Sequence, residues 1–148
     1  MKNLRIRIIV LAAFGFSFSV ASFAQDNPAI GLWKLTDEGV TTFYRTFEEN
    51  GVLKAKVEKR VLKDGSEDAK AVCSVCKDAM ANKPLYGMLV IWDMKPDGGM
   101  KYKGGKLLHL GNGKTYNGRV EAVPGGKILK VTGSVAFMSK TDNWERVE

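Results

Sequence analysis

Turn-forming glycines recur at short intervals along this chain and divide it into segments of strand length. Glycine stands beside Asn, Asp or Pro at Asn50-Gly51, Asp97-Gly98-Gly99, Gly111-Asn112-Gly113 and Pro124-Gly125-Gly126. These combinations favour tight hairpin turns, because Gly, Asn and Asp adopt positive φ more readily than other residues. Hairpin turns join antiparallel neighbours, so the spacing predicts an all-β fold made of consecutive antiparallel strands.

We predict eight strands in the segments between these turns. Their expected bounds are residues 31–35, 41–48, 52–61, 88–94, 100–108, 114–123, 127–135 and 142–147. One longer connection, residues 63–84, is polar and irregular, and we expect a short helix in it around residues 77–82. No segment of ten or more residues shows the 3.6-residue apolar period of an amphipathic helix.

Eight antiparallel strands form either a two-sheet sandwich or a closed up-and-down barrel. Closing the sheet removes both exposed edges, which a sandwich must protect. Glycines also lie inside the predicted strands, at Gly104, Gly105, Gly118 and Gly133, where a strongly coiled sheet bends and where side chains would crowd a narrow interior. We therefore predict an eight-stranded antiparallel up-and-down β-barrel, which side chains fill or which holds one small ligand.

The first 24 residues have the organisation of a secretory signal peptide. A basic head is followed by an apolar run over residues 8–20 and by a small-x-small cleavage site, Ser22-Phe23-Ala24. Cleavage there leaves residues 25–148 as a single barrel domain, in the periplasm or secreted. Position 25 is Gln and not the Cys of bacterial lipid attachment, so we expect no membrane anchor. An uncleaved anchor is the alternative, which the short apolar run disfavours.

The charge of the predicted mature chain is mild. Three of the 23 basic residues and none of the 16 acidic ones lie in the first 24 residues, which leaves 20 basic against 16 acidic residues, a net charge of +4. The basic residues alternate with apolar or small residues along the predicted strands, as on the solvent face of a sheet. We therefore expect no nucleic-acid partner.

Catalytic constellations are not evident in the sequence. The one histidine, His109, has no serine in a nucleophile-elbow setting to act upon. The carboxylates lie at a strand end or in turns and loops, where solvation explains them, and the paired glycines match no phosphate-binding pattern. We accordingly expect a protein that is not an enzyme, with no catalytic residue, no metal and no cofactor.

Cys73 and Cys76 are the two cysteines of the chain, and their C-x-x-C spacing has three interpretations. The favoured one is a local disulfide that shapes the long connection in an oxidising compartment. A redox pair is the second, although the thioredoxin-like βαβ scaffold is missing. A metal site is the third, and zinc requires two further soft ligands.

Several aromatic residues and a methionine lie on the predicted strands or next to them, and we expect a good part of these to face the interior. The residues predicted to bind a ligand are Tyr44, Met88, Trp92, Tyr102 and Tyr116. A buried tyrosine hydroxyl requires a hydrogen-bond partner. Several tyrosines facing one interior therefore favour a cavity that contains polar groups over a core filled by apolar side chains. We predict that a small, mainly apolar molecule binds there, in a cavity near or below the lower end of the usual range of roughly 300 to 1,000 Å³. The alternative is a filled barrel that acts as a cell-envelope adaptor through its loops.

Two motifs resemble those of the lipocalins. Gly31-Leu32-Trp33 opens the first strand as the lipocalin Gly-x-Trp motif does, and Trp144-Glu145-Arg146 lies on the last strand. The resemblance implies that Arg146 packs across Trp33 through a cation–π contact and closes one end of the barrel. Trp144, two residues from Arg146, is expected on the same side of its strand. Gly31, Trp33, Trp144 and Arg146 are thus predicted to be structural residues.

The chain as a whole resembles a bacterial exported family known as domain of unknown function 2147. The matching motifs follow in order: Ile30-Gly31-Leu32-Trp33-Lys34, Cys73-x-x-Cys76-Lys77, Lys83-Pro84, Gly87-Met88, Trp92, Gly104-Gly105-Lys106, Gly113-Lys114-Thr115-Tyr116, Val131-x-Gly133 and Trp144-x-Arg146-Val147. Leu108-His109-Leu110-Gly111 and Ser134 depart from the family pattern. The resemblance implies a lipocalin-like barrel and no particular activity.

Overall fold

The computed structural model describes residues 26–148, which form a closed barrel of eight antiparallel strands in sequential order. The strands are β1 (Gly31–Asp37), β2 (Val40–Glu49), β3 (Val52–Val61), β4 (Leu89–Pro96), β5 (Lys101–His109), β6 (Lys114–Ala122), β7 (Ile128–Val135) and β8 (Met138–Arg146). The predicted all-β up-and-down barrel is confirmed, and each predicted strand corresponds to one observed strand. The predicted signal peptide, residues 1–24, lies outside the described residues.

The turn residues explain which predicted strand ends match the structure and which do not. Asn50 and Gly51 join β2 to β3 with φ of 53° and 75°, the positive values that a two-residue hairpin turn requires. The turn between β7 and β8 carries Ala136 at φ 51°, a conformation that alanine rarely adopts. Because no turn-forming residue marks this position, the start of β8 was predicted four residues late.

Three of the four strand glycines, Gly105, Gly118 and Gly133, lie where the interior has no room for a side chain, whereas a Cβ added to Gly104 would have no neighbour within 4 Å. A Cβ added to Gly118 would lie 1.9 Å from Cε of Met94, and one added to Gly105 would lie 2.3 Å from the carbonyl oxygen of Trp92. Real Cβ contacts are not this short. The predicted role of these glycines is therefore confirmed: they let strands approach and bend around a narrow barrel.

The barrel is closed least completely between β1 and β8. These strands pair at two positions, Trp33 with Arg146 and Lys34 with Glu145, whereas β1 pairs with β2 along its whole length. Continuing the register would place Asp37 opposite Asp142, and like charges directly opposite each other destabilise a sheet. The seam consequently stays unpaired toward one end of the barrel, which we call the open end.

Residues 62–88, the covering segment, connect β3 to β4 across the open end. The segment contains a short 3-10 helix, Asp78–Met80, within the predicted range. Val72 and Pro84 form an isolated bridge, and the Cys73 N–H donates to the Lys83 carbonyl at 2.9 Å. A Cβ on Gly113 would lie 2.1 Å from the Val75 carbonyl oxygen, so the segment also rests on the β5–β6 turn.

Candidate ligand-binding site

The end of the barrel opposite the covering segment is closed by Trp33 and Arg146. Trp33 is fully buried, and the Arg146 guanidinium carbon lies 4.2 Å from the centroid of its indole ring. Arg146 also donates hydrogen bonds to the carbonyls of Pro28, Ile30, Gly126 and Glu148. The contact expected between Trp33 and Arg146 is therefore present.

Gly31 makes room for this arrangement. A Cβ at Gly31 would lie 2.4 Å from Nη1 of Arg146 and 2.6 Å from the Glu148 carbonyl oxygen. Glycine is the residue that allows the guanidinium to pass over the start of β1 and reach the indole. The first position of the Gly-x-Trp motif thus has a steric reason in this chain.

A residue that the sequence analysis did not single out, Thr46, completes the closed end. Its hydroxyl accepts from Nε1 of Trp33 at 2.9 Å and donates to the Ala29 carbonyl at 2.6 Å. Thr46 is fully buried, so both bonds are shielded from water. The indole N–H is thereby satisfied without solvent at the bottom of the barrel.

The open half of the barrel contains a cavity of about 510 Å³. Its lining combines polar side chains with apolar ones, which include Leu35, Leu85, Val90, Leu107, Leu108 and Val131. Residues 72–75 of the covering segment also line it. The cavity is larger than predicted, since we expected a volume near or below roughly 300 Å³. The difference arises because the covering segment extends the walls above the strand ends.

Tyr44 and Trp144 form the floor of this cavity. They are the deepest lining residues on β2 and β8, and their rings stack at 4.0 Å with an interplanar angle of 9°. Below them the barrel is filled by side chains, among them Leu53, Met94, Val120 and Leu129. The interior is therefore divided: the half toward Trp33 is solid and the half toward the covering segment is hollow.

Polar groups gather at the mouth of the cavity. Asp37, Thr42, Arg60, Lys140 and Asp142 line it, and Nζ of Lys140 lies 3.3 Å from Oδ1 of Asp142. Burial raises the pKa of Tyr44 to about 12; Thr42 and Arg60 lower that pKa, whereas Asp142 and Asp37 raise it. Tyr44 accordingly keeps its proton at neutral pH and presents a hydroxyl donor to the cavity.

The disulfide predicted between Cys73 and Cys76 is present, with a Cα–Cα distance of 5.3 Å. Cys73 lines the cavity and is 2% exposed. A thiol that exchanges disulfides must be reached by its partner, and this burial disfavours the redox interpretation. The disulfide instead fixes the part of the covering segment that faces the cavity.

The structure brings one of the five predicted ligand-binding residues, Tyr44, into the cavity lining. Met88 is buried before β4, and Tyr102 is buried toward the closed half, where its hydroxyl is 2.5 Å from Nδ2 of Asn27. Tyr116 is half-buried, and its hydroxyl accepts a hydrogen bond from Nδ2 of Asn112 at 2.9 Å. Trp92 is half-buried and pairs with exposed Lys106. These four residues are outside the cavity lining.

The position of Trp92 follows from a β-bulge at the start of β4. Ala55 pairs with Ile91 and the next residue, Lys56, pairs with Leu89, so Val90 is an extra residue, and Val90 and Ile91 are both buried although they are consecutive. The alternation of faces is broken at this point, and Trp92 lies opposite Lys106 and not over the cavity. Trp144, predicted as structural, is the tryptophan that lines the cavity.

Within residues 26–148, no three His, Cys, Asp or Glu side chains are grouped as a metal ion requires. The same part of the chain contains no helix with the length and apolar character needed to cross a bilayer.

Comparisons with known proteins agree with this architecture. Residues 31–146 match the model of a family described as "Uncharacterized protein conserved in bacteria (DUF2147)". The barrel is similar to the solved structure of HP1028 from Helicobacter pylori, which is described as belonging to the lipocalin family, with a TM-score of 0.69 and 28% identity over 81% of this chain and 83% of that one. No curated protein matches the chain. The family match spans all eight strands, and the chain belongs to the DUF2147 family of bacterial proteins.

Proposed function

We propose that this protein is an exported carrier that binds a small, mainly apolar molecule in the open half of its barrel. The observation that carries the proposal is the cavity of about 510 Å³ above the Tyr44–Trp144 floor. Ligand pockets of this size are typically lined by apolar side chains with a few polar groups, and this cavity has both. A lipocalin-like barrel supports the same interpretation.

Binding of decan-1-ol tests the proposal. Because Trp144 lies in the floor, we expect a saturable change in tryptophan emission, best read in a Trp92→Phe background that removes the half-buried indole on β4. Val131 is 2% exposed and lines the wall, so Val131→Phe should fill part of the cavity. We expect this variant to bind decan-1-ol at least about tenfold more weakly, since a filled pocket loses apolar contact area.

Lys130→Phe is the matched control. Lys130 precedes Val131 on β7 and is exposed, so the same aromatic ring is added to the opposite face of the strand. Affinity should be unchanged in this variant. Absence of saturable binding of any ten-carbon ligand, neutral or anionic, to the parent protein, or equal binding by Val131→Phe, would refute the proposal.

Export is a separate part of the proposal and rests on the first 24 residues. Signal cleavage after Ala24 leaves Gln25 at the N-terminus. Intact mass and N-terminal sequencing of protein isolated from the periplasm or medium of a bacterial host test this. A mass that retains residues 1–24 contradicts both the cleavage site and the assigned compartment.

A second candidate function is the cell-envelope adaptor, which exposed apolar side chains at the open end favour. Phe137, in the β7–β8 turn, is 97% exposed, and Val72 and Val75 of the covering segment are each 43% exposed. Site-specific photo-crosslinking at position 137 in living cells tests this alternative. A discrete crosslinked protein that disappears with a Val75→Asp variant supports the adaptor, and the absence of any crosslink removes its main support.

A further inference from the structure

A β-bulge turns Arg60 into the mouth of the cavity. Along β3 the buried side chains alternate at Leu53, Ala55 and Val57, a pattern that would leave residue 60 on the outer face. The register with β2 shifts between Phe43 and Tyr44, so that Glu58 has no partner. The extra residue reverses the alternation, and Arg60 pairs with Thr42, which also lines the cavity.

The guanidinium of Arg60 is incompletely paired. Its Nη1 lies 4.0 Å from Oδ2 of Asp68 in the covering segment, so one side of the guanidinium faces this carboxylate. Its Nε is buried and has no hydrogen-bond partner. Burying a donor of a charged group without an acceptor costs free energy. An acceptor supplied by a bound molecule would therefore stabilise this atom.

The other charged residues that line the cavity do not supply an acceptor to Nε of Arg60. Asp142 is ion-paired with Lys140 at 3.3 Å. Asp37 ends β1 and Glu38 begins the β1–β2 turn; both are exposed, so water solvates their carboxylates. Arg60 therefore differs from its charged neighbours in having a buried polar atom that is left without a partner.

We propose that the ligand carries an anionic head, a carboxylate or a phosphate, and that the partly exposed Arg60 side chain turns on binding so that Nε leaves its buried position and donates a hydrogen bond to this head. This inference rests on the proposed function and adds the chemical class of the ligand. The hydroxyls of Thr42 and Tyr44 line the same cavity as Arg60 and supply donors for a second oxygen. The apolar tail runs between Val90 and Val131 toward the Tyr44–Trp144 floor.

Three ligands with the same ten-carbon chain test the head group: decanoate, decyl phosphate and neutral decan-1-ol. We expect at least one anion to bind the parent protein more tightly than decan-1-ol. Arg60→Gln should weaken the binding of that anion by about 10- to 100-fold, the effect of losing a hydrogen bond between charged groups. The affinity for decan-1-ol should be unchanged. The anion that shows the larger loss identifies the source of the head, carboxylate or phosphate.

Two further variants keep the test independent of folding and of general charge effects. Arg60→Lys retains the charge and removes the Nε donor, so it should recover only part of the anion affinity. Arg119→Gln removes an exposed positive charge from β6 and should change nothing. In the parent protein, the ¹⁵N-labelled Nε–H resonance of Arg60 should shift on addition of the anion, and its exchange with water should slow.

The outcomes separate the two proposals. Equal affinity for all three ligands, or an anion preference that Arg60→Gln leaves intact, overturns the role of Arg60 and leaves the binding cavity standing. Failure of all three ligands to bind overturns the proposed function itself. Loss of anion binding in Arg119→Gln as well as in Arg60→Gln reveals a general charge effect and also overturns the specific contact.

Discussion

Removing the indole of Trp33 tests how much the closed end contributes to the stability of the barrel. Trp33→Ala deletes a fully buried side chain, and changes of this type cost about 3 to 5 kcal/mol. This cost includes the lost bond to Thr46 at 2.9 Å, worth about 1 kcal/mol, and the lost contact with Arg146, worth about 0.5 to 2 kcal/mol. We expect the free energy of unfolding to fall by about 4 kcal/mol, measured by urea denaturation.

A double-mutant cycle isolates the contact between the indole and the guanidinium. Arg146→Ala alone should cost less than Trp33→Ala, and the coupling between the two changes should be about 0.5 to 2 kcal/mol. Trp92→Ala is the matched control, because Trp92 is half-buried and lies outside the cavity lining, and it should cost less than Trp33→Ala. A loss below about 1 kcal/mol for Trp33→Ala, or a coupling of zero, would refute the reasoning.

Three further predictions concern the strand glycines, the pH dependence of the free energy of unfolding, and the disulfide. Gly105→Ala should destabilise more than Gly118→Ala, because the new Cβ meets backbone in the first case and the movable end of a methionine in the second; thermal unfolding of both variants checks the order, and the reverse order contradicts it. The pKa of Tyr44 is raised to about 12, so the unfolded state loses this proton first as pH rises above about 10; the free energy of unfolding should then fall by about 1.4 kcal/mol per pH unit up to pH about 12, and Tyr44→Phe should lack this fall. Replacing Cys73 and Cys76 together by Ser should cost about 2 kcal/mol or less, because the closed loop is short; amide exchange should nevertheless accelerate in the covering segment, and unchanged exchange there would contradict its role in fixing the segment.

The sequence allowed the barrel to be predicted because its determinants are local. Asn50 and Gly51 specify a turn from their own conformational preferences, and interior glycines such as Gly118 reveal a coiled sheet. The pairing of Cys73 with Cys76 required only that two nearby thiols meet in an oxidising environment. None of these inferences depends on knowing which face of a strand points inward.

The binding residues were harder to predict because they depend on strand faces. A single extra residue moves every following side chain to the other face. This occurs at Glu58, which brings Arg60 inward, and at Val90, which leaves Trp92 outside the cavity lining. Neither residue is a glycine or a proline, so no signal in the sequence marked either position. Val131 lay on a predicted strand, and alternation from buried Leu129 would have placed it in the wall.

Isotope-filtered nuclear Overhauser measurements on the protein with decanoate test the central claim most directly. We expect contacts between the ligand methylene protons and the methyl groups of Val90, Leu107 and Val131, which line the hollow half. We expect none to Leu53 or Val120, which are fully buried below the floor. Contacts confined to the outer surface, or no intermolecular contact at saturating decanoate, would contradict the claim that the open half of the barrel is a binding cavity.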